Sequence, residues 1–339
     1  MKRAVHWRGR AFVALGLSLI LVAIVLLLSY SPTSADPGSE TYVFVLKWGS
    51  LGSGDGEFDA PAGVAVDLSG NVYVSEVIGN NRIQKFDLDG NFLDKWGSTG
   101  SSDGEFNEPY GIAVDVGGGS VYVADMLNAR IQKFDLAGNF LAKWGSFGSG
   151  DGEFDGPVGV AVDVSSNVYV TEVGNNRIQK FDSNGNFITK WGSWGSGNGE
   201  FRYPWDVAVD ADGYVYVSDY WNHRIQKFDP NGNFIAKWGS FGSGDGEFDW
   251  PFGVAVDSSG NVYVADNETD CIQKFDSNGN FLAKWGSSGS GDGQFNCPLG
   301  VAVDSSGNVY VADGGNYRIQ KFTKAAHFIC YLPIVIKRY

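Results

Sequence analysis

The sequence predicts an all-β fold, a six-bladed β-propeller with four antiparallel strands per blade that is closed by the N-terminal strand. A Lys-Trp-Gly triplet recurs six times, with its tryptophan at positions 48, 96, 144, 191, 238 and 285. The spacing is 47 or 48 residues throughout, which is typical of a propeller blade. Each unit also contains four short apolar or alternating segments separated by turn residues, and four such strands form one blade.

The unit from Lys237 to Ala283 shows how the strands arise. Valine and tyrosine alternate with each other in its second strand, as expected of a half-buried strand. The four predicted strands are, in order, Gly253–Asp257, Asn261–Ala265, Ile272–Phe275 and Phe281–Trp285. Ser-Gly and Asn-Gly pairs at the corners supply positive φ at little steric cost, so each unit folds back on itself as an antiparallel sheet.

Ring closure needs a sixth outer strand, because only five lie between repeats. Two segments align with it, Tyr42–Trp48 and Phe328–Leu332. The last repeat replaces its Asn-Gly corner with Thr323–His327, residues that tolerate positive φ poorly. We therefore expect the N-terminal segment to complete the sixth blade, so that residues 42–323 form the propeller and residues 324–339 a C-terminal tail.

The first 35 residues have the pattern of an export segment. Basic residues precede an apolar run from Ala11 to Tyr30, and small residues at Thr33–Ala35 offer a cleavage site. The run is also long enough to span a bilayer, so residues 1–35 are either a cleaved signal peptide or an N-terminal membrane anchor. Residues 36–41 form a linker. In both cases the propeller is expected outside the cytoplasm, secreted or anchored.

Charge and composition limit the classes of function. The formal net charge is −14, and nucleic-acid affinity depends mainly on Lys and Arg neutralising phosphates, so we expect no nucleic-acid partner. The three cysteines are too few for a disulfide scaffold. We expect a monomeric propeller that contacts a membrane only through its N-terminal segment.

The repeats resemble those of the NHL family of β-propellers. The resemblance depends on a Gly-x-Phe-x-x-Pro-x-Gly-(Val/Ile)-Ala-Val-Asp segment and on a Val-Tyr-Val-x-(Asp/Glu) strand followed by Asn-x-Arg-Ile, best matched at Asn222–Ile225. It covers about residues 42–323 and implies the propeller fold. It does not fix a function, because this fold includes binding proteins, scaffolds and lyases.

Three sets of residues occupy equivalent positions in the repeats and have structural explanations. We expect the six tryptophans to pack between blades rather than to form a ligand cage. The aspartates that end the first strands (Asp67, Asp115, Asp163, Asp210, Asp257 and Asp304) either ring the channel around a cation or, as we favour, accept backbone N–H bonds in the following turn. An acid that ends the second strand is expected to pair with an arginine that begins the third, as Asp219 does with Arg224.

Blade five departs from this pattern at a cysteine. Cys271 occupies the arginine position, and Cys297 precedes the first-strand proline of the next repeat. Because both columns lie on the same face, between neighbouring blades, we predict a Cys271–Cys297 disulfide. The same loop carries Asp266, Glu268 and Asp270, which either bind Ca²⁺ weakly or are solvated acids.

Aromatic residues vary most between the repeats. They flank the first-strand prolines and crowd the loops of blade four, and we take eight residues as candidate ligand-binding residues. They are Tyr110, Tyr203, Trp205, Tyr220, Trp221, His223, Trp250 and Phe252. Such rings either bind a sugar face, a peptide side chain or a protein partner, or they close the channel as a lid.

Non-catalytic binding of a protein, peptide or glycan ligand is the function that we predict. Related propellers with a zinc site place histidines on several blades, whereas only His223 lies within these repeats. We therefore expect no catalytic residue and no cofactor other than Ca²⁺. The alternative is a calcium-dependent lyase or lactonase-like enzyme acting at the central channel.

Overall fold

The computed structural model describes residues 40–115 and 117–326. The predicted leader, most of the linker and the tail from residue 327 onward lie outside the described residues. Within the described ranges, no helix has the length and apolar character needed to cross a membrane.

Six separate four-stranded antiparallel sheets make up the fold, and we number the blades by the order of their first strands. The first strands are Pro61–Val66, Pro109–Asp115, Pro157–Val162, Pro204–Val209, Pro251–Val256 and Pro298–Val303. The second strands are Val72–Glu76, Ser120–Asp125, Val168–Glu172, Val215–Asp219, Val262–Asp266 and Val309–Asp313. The third strands are Arg82–Phe86, Arg130–Asp135, Arg177–Phe181, Arg224–Phe228, Cys271–Phe275 and Arg318–Lys324.

The outer strands complete the six sheets. They are Phe92–Trp96, Phe140–Trp144, Phe187–Trp191, Phe234–Trp238, Phe281–Trp285 and, for blade six, Tyr42–Trp48. Single turns of 3₁₀-helix lie between the second and third strands of three blades, at Met126–Asn128, Tyr220–Asn222 and Gly314–Asn316. The predicted six-bladed propeller is confirmed.

The N-terminal strand closes the ring, as predicted. It runs antiparallel to the third strand of blade six, with Tyr42 opposite Lys324 and Trp48 opposite Ile319. Tyr42 also reaches blade five, where its ring stacks on Trp285 at 4.2 Å and its hydroxyl lies 2.9 Å from that of Tyr263. The first described residues of the chain therefore join its last strand and its fifth blade.

The hydrophobic core lies between neighbouring blades. One cluster combines Ala161, Tyr169 and Ile178 of blade three with buried residues of blade four, such as Val215 and Phe228. The recurrent tryptophans pack at the outer margin of these clusters, as predicted, and Trp191 lies against that same cluster. Each blade therefore buries its apolar faces against its two neighbours.

The aspartates that end the first strands have the structural role that we favoured. The Asp67 carboxylate accepts N–H bonds from Ser69 and Asn71, each at 2.9 Å, and a hydroxyl bond from Tyr73 at 3.1 Å. The same turn geometry recurs at Asp163, Asp210, Asp257 and Asp304, as shown by Asp257. In blade two, Asp115 instead accepts the N–H groups of Gly117 and Gly118. These carboxylates stabilise tight turns and are not free to ring a cation.

The predicted acid–arginine pairs form buried ion pairs. In blade four, Arg224 Nε lies 2.7 Å from Asp219 Oδ2. The two Nη atoms of Arg224 donate to three carbonyl oxygens of the preceding crossover, those of Ser196, Gly197 and Glu200, each at 2.8 Å. One guanidinium therefore joins two strands of a blade to the connection that leads into it.

The antiparallel order fixes which loops share a side of the ring. The crossovers between blades and the loops between second and third strands lie on one side, which we call the crossover face. The aspartate turns lie on the opposite side. Because every first strand begins with its proline at the crossover face, the variable residues around those prolines gather at one mouth of the channel.

Candidate functional site

The channel narrows at the crossover face, where each first strand carries a β-bulge just after its proline. The residues directly after the prolines form the upper ring. They are Ala62, Tyr110, Val158, Trp205, Phe252 and Leu299. The next residues form a second ring, and these are Gly63, Gly111, Gly159, Asp206, Gly253 and Gly300. Both rings line a cavity of about 40 Å³, which has room for about three water molecules.

Five members of the second ring are glycine because the blades approach too closely for a side chain. A Cβ atom on Gly63 would lie 2.4 Å from the carbonyl oxygen of Tyr110, and one on Gly111 would lie 2.3 Å from that of Val158. Contacts this short require the backbone to move. Asp206 of blade four is the exception, and it places a carboxylate in the wall of the channel.

Hydrogen bonds hold Asp206 in place on two sides. The Val254 N–H of blade five donates to Asp206 Oδ2 at 3.0 Å. The Asp206 N–H donates to Ser218 Oγ at 2.9 Å, and this hydroxyl in turn donates to the Phe252 carbonyl oxygen at 2.6 Å. Ser218 therefore fixes both the carboxylate residue and the aromatic residue beside it.

Burial raises the pKa of Asp206 to about 7, and hydrogen bonds from the Val254 and Val207 N–H groups offset this only in part. The carboxyl group is partly exposed, but only to the narrow channel cavity, where a full hydration shell does not fit. Tyr110 is the other titratable residue of the lining, and burial followed by the charge of Glu108 raises its pKa. Asp206 therefore changes its charge near neutral pH.

Seven of the eight predicted ligand-binding residues form one aromatic cluster on the crossover face. Trp205 is at its centre, with ring centroids 4.3 Å from Phe252, 5.3 Å from Tyr220 and 5.6 Å from Tyr110. Tyr220 continues to Trp250 at 5.4 Å.

The outer part of the cluster is open to solvent. Trp221 lies 6.4 Å from Trp250 and 6.0 Å from Tyr203, whose ring lies 6.1 Å from that of Trp194. Tyr203, Trp221 and Trp194 are 40%, 54% and 59% exposed. Arg202 adds a guanidinium 5.3 Å from the Trp194 ring. The inner rings of the cluster therefore line the channel, whereas the outer rings face solvent.

Two of these aromatic residues have a backbone conformation that suits glycine better. Tyr203 and Trp250 precede their prolines with φ of 56° and 64°, in the left-handed region. Blade three has Gly156 at this position, with φ of 62°. A bulky residue in this region carries a strain on the order of 1 kcal/mol or more, and such strain is concentrated at functional sites. The same position has a positive φ in every blade, including Ala60, Glu108 and Cys297, so this conformation belongs to the repeat and does not single out the two rings.

His223, the eighth predicted residue, has a structural partner. Its Nδ1 accepts the Trp250 N–H at 3.4 Å, and its ring packs edge-on against Phe241. The corresponding side chain in blade three, Asn176, accepts the Tyr203 N–H in the same way. His223 therefore connects blade four to blade five and supports Trp250.

The predicted calcium ligands are not brought together. Asp266 is fully buried and accepts the Asp249 N–H, whereas Asp270 accepts the Cys297 N–H at 2.9 Å as the counterpart of Asn176. Glu268 lies on the exposed part of the loop. Within residues 40–115 and 117–326, no group of three or more His, Cys, Asp or Glu side chains is arranged to hold a metal ion. Alternation along a loop does not make side chains converge, and each of the two buried or half-buried carboxylates, Asp266 and Asp270, has its own backbone partner.

The predicted Cys271–Cys297 disulfide is not formed, and both thiols are free. Cys271 is buried at the start of its strand, with Sγ 3.1 Å from Thr269 Oγ1. Cys297 is exposed in a loop. Both residues lie on the crossover face of the ring. The side chain at the arginine position of each repeat points into its blade, away from the residue that precedes the proline.

Asp206 and Ser218 were missed from the sequence. A signal was present, since Asp206 is the one departure from glycine two residues after the first-strand proline. The residues directly beside the prolines vary more between the repeats than this position does. The position is recognised as a candidate site only in the structure, where the β-bulge after the proline places it in the channel lining.

Fold and site together define a class, a six-bladed β-propeller whose crossover face carries a local aromatic cluster above a single channel carboxylate. Four segments match the family model of the NHL repeat, residues 154–181, 201–228, 248–275 and 295–322. Each segment begins at the buried phenylalanine of a crossover and ends with the third strand of that blade. Blades three to six therefore contain NHL repeats, and the chain is a six-bladed β-propeller with NHL repeats.

One similarity at the level of sequence is short. Over 49 residues the chain is 51% identical to protein lin-41 of Caenorhabditis elegans, and this stretch is 14% of the chain and 4% of the worm protein. The match is about as long as one blade, so it supports the repeat and not the whole protein.

Solved structures share the fold over most of the chain. A streptogramin B lyase is 14% identical with a TM-score of 0.58, covering 84% of this chain and 98% of that one. A gluconolactonase from Xanthomonas campestris is 14% identical with a TM-score of 0.60, covering 87% and 97%. A protein of unknown function from Bacteroides thetaiotaomicron is 19% identical with a TM-score of 0.63, covering 85% and 76%. At these identities the similarity shows the fold alone.

Proposed function

We propose that this chain is a non-catalytic binding protein that holds a protein, peptide or glycan ligand on the aromatic cluster of its crossover face. The observation that carries the proposal is the concentration of contacting rings around blade four, in a chain whose other blades repeat one another closely. Blade one has Ala60 and Ala62 at the two positions where blade four has Tyr203 and Trp205. The repeated fold does not require aromatic residues there.

The chemistry of the cluster suits such ligands. Aromatic rings offer a large contact area at low cost in conformational entropy, and they stack on sugar faces and on peptide side chains. The polar edges of Tyr203 and Arg202 lie beside the exposed rings of Trp194 and Trp221. Partly exposed tryptophan, tyrosine and arginine are the residues most often dominant in binding energy.

We also propose that the propeller acts as a monomer outside the cytoplasm. Support comes from the basic and apolar pattern of residues 1–35, which is typical of an export signal or an anchor. The acidic net charge argues against a nucleic acid as the ligand.

A calcium-dependent channel enzyme is the alternative function, and the donor atoms of the channel bear on it. Ca²⁺ takes about six to eight oxygen ligands, commonly several carboxylates. The cavity lining offers side-chain oxygen atoms from Asp206 and Tyr110, and its other residues are glycine or lack polar side chains apart from the Trp205 indole. This donor set does not fit a calcium ion, and we derive no catalytic step from it.

Binding to a glycan array and a peptide panel, with substitutions in the cluster, tests the proposal. Trp221→Ala and Trp205→Ala are each expected to weaken binding of a ligand found in the screen by about tenfold or more, as truncation of a central aromatic contact does.

Phe147→Ala is the matched control. Phe147 occupies the same crossover position in blade three as Trp194 does in blade four, and it is 77% exposed without belonging to the cluster. We expect this variant to bind like the wild type. Wild-type affinity in both tryptophan variants would exclude the aromatic cluster as the binding surface.

A further inference from the structure

Asp206 is the strongest feature of the channel that aromatic binding leaves unexplained. It replaces glycine where a side chain is otherwise excluded, and its carboxylate lies in the cavity beneath Trp205, Tyr110 and Phe252. Resting on the binding function proposed above, we infer that this carboxylate binds a primary alkylammonium group, such as the end of a lysine side chain, that enters the channel past these rings.

The size of the cavity selects a slender group. Room for about three waters admits an ammonium nitrogen and one or two methylene groups, but not a sugar ring or a quaternary ammonium. An unbranched alkyl stem would pass between the side chains of the upper ring. Ala62, Val158 and Leu299 occupy three of the six positions of that ring, so aromatic side chains surround only part of the mouth.

The charge of the site selects a cation. Asp206 is the only charged side chain in the cavity lining, and the faces of the Trp205 and Tyr110 rings attract cations through their quadrupoles. The net charge of −14 adds a long-range field of the same sign. An ammonium has three N–H donors, and the Asp206 carboxylate offers oxygen acceptors for them.

The backbone around Asp206 holds the carboxylate ready for a ligand. The Val254 N–H donates to the carboxylate, and Ser218 Oγ accepts the backbone N–H of Asp206, so little ordering remains to occur on binding. A ligand with a positive charge also removes the reason for the high pKa, because it compensates the buried carboxylate.

Other charged groups near Asp206 are already engaged in the fold. The strands packed against it carry two kinds of acid. Asp163, Asp210 and Asp257 close turns at the far ends of the first strands, and Glu172, Asp219 and Asp266 end the second strands and accept bonds within the blades. Asp206, with Tyr110, is therefore the group expected to control binding in the cavity as pH changes.

Calorimetric titration of the full chain tests the inference with two small amines. Nα-acetyl-lysinamide represents a lysine side chain and 1,5-diaminopentane a free alkylamine. Both remain protonated below about pH 9. We expect binding at pH 8 that weakens about tenfold or more at pH 5.5, where Asp206 is protonated, and no binding of the Nε-acetylated lysinamide at either pH.

Two substitutions distinguish an effect of the carboxylate on binding from an effect on the fold. Asp206→Asn keeps the size of the side chain, and Asp206→Gly restores the residue of the other blades; both are expected to lose about tenfold or more of the affinity for the amines and all of its pH dependence. Tighter binding of the lysinamide would assign the ligand to a partner's lysine, and tighter binding of the diamine to a free alkylamine. Either outcome supports the inference.

Equal affinity of wild type and Asp206→Asn for both amines, or binding of the acetylated probe, would overturn it. These results are distinct from failure of the proposed function. If binding of the array ligand still depends on Trp221 while amine binding does not depend on Asp206, the aromatic binding surface is supported and the ammonium site is excluded. If neither tryptophan variant affects the array ligand, the binding function itself falls.

Discussion

Asp206 and the five glycines of its ring occupy the same position in six nearly identical repeats. At four of the five glycines, the carbonyl oxygen of the next blade lies where a side chain would begin, as at Gly111, where a Cβ atom would lie 2.3 Å from it. At Asp206 the chain accepts a buried carboxyl group in a cavity too small for a full hydration shell, and burial raises the pKa of this group to about 7. The protein therefore loses stability at this residue when the carboxyl group ionises.

Replacing Asp206 with asparagine should remove part of the pH dependence of stability. The folded state keeps the proton up to about pH 7, whereas an unfolded aspartate loses it near 3.8, so this stabilisation is complete below about pH 4 and is lost as pH rises through 7. Between pH 5 and pH 8 the wild type should lose about 3 kcal/mol more than Asp206→Asn. Urea denaturation at both pH values measures this. Parallel pH profiles would contradict the raised pKa.

The two cysteines of blades five and six should differ in reactivity. Burial, followed by the charge of Asp266, raises the pKa of Cys271 to about 12, so its thiolate is almost absent at pH 7.5. Cys297 is exposed. In a Cys330→Ser background, a maleimide should label one thiol of the folded protein within minutes and two after unfolding. Cys297→Ser should abolish the fast reaction, and an unreactive, oxidised pair would restore the disulfide prediction.

At the scale of the element, blade five shows what the recurrent arginine contributes. Without it, Asp266 is buried with no guanidinium beside it, and its pKa rises to about 6 through burial. Lys284 from the outer strand replaces part of the missing arginine's hydrogen bonding. Its Nζ donates at 2.7 Å to the carbonyl oxygen of Ser243, the position equivalent to Ser196 in blade four. In blade three the corresponding lysine, Lys190, pairs with an exposed aspartate of the crossover.

Restoring the arginine should stabilise blade five. Cys271→Arg would place a guanidinium between Asp266 and the crossover carbonyls, and we expect a gain of about 2 kcal/mol in the free energy of unfolding. The gain should be larger at pH 8 than at pH 5, because below pH 6 the wild-type Asp266 is largely protonated and needs no partner. Urea denaturation at the two pH values checks both statements.

Blade four provides the reverse experiment. Arg224→Cys leaves Asp219 buried and unpaired, and removing one partner of a buried ion pair costs about 3–5 kcal/mol. We expect Cys271→Arg to raise the free energy of unfolding and Arg224→Cys to lower it. A neutral effect of Arg224→Cys would mean that the guanidinium network adds little to stability.

At the scale of the whole molecule, closure depends on a short segment far from its partners in sequence. Tyr42 lies 221 residues from Tyr263, and Glu40 forms ion pairs with Lys274 at 2.6 Å and Lys324 at 2.7 Å. These contacts connect the start of the described chain to blades five and six. They convert a row of repeats into a ring in which every blade has two neighbours.

Removal of the closing strand should destabilise the ring as a unit. A variant that begins at Ser50 loses Tyr42 and Trp48 and exposes the edge of the third strand of blade six, whereas one that begins at Glu40 retains them. We expect the shorter variant to be less stable by at least about 3–5 kcal/mol, the cost of losing one large buried aromatic side chain. Thermal denaturation followed by circular dichroism compares the two. Equal midpoints would show that closure adds nothing.

The architecture of this protein follows from local patterns in its sequence. Regular spacing of the Lys-Trp-Gly triplets, alternation of Val and Tyr, and glycine pairs at the corners predicted six blades and the closing strand Tyr42–Trp48, and all were found. This was possible because strand alternation and turn conformation are local, and because repetition multiplied each local signal by six. The acid–arginine pairs were predicted for the same reason, since both partners lie in one hairpin.

Contacts between blades were decided only by the tertiary structure. Asp270 and His223 resembled ligands in sequence, yet each accepts an N–H from the following blade, 27 residues away. Cys271 and Cys297 share a face of the ring but not a direction, and Asp206 gained its raised pKa from the walls of a channel that exists only after closure. Side-chain direction, burial and desolvation depend on neighbours that the chain brings together in three dimensions, and no spacing along the sequence encodes them.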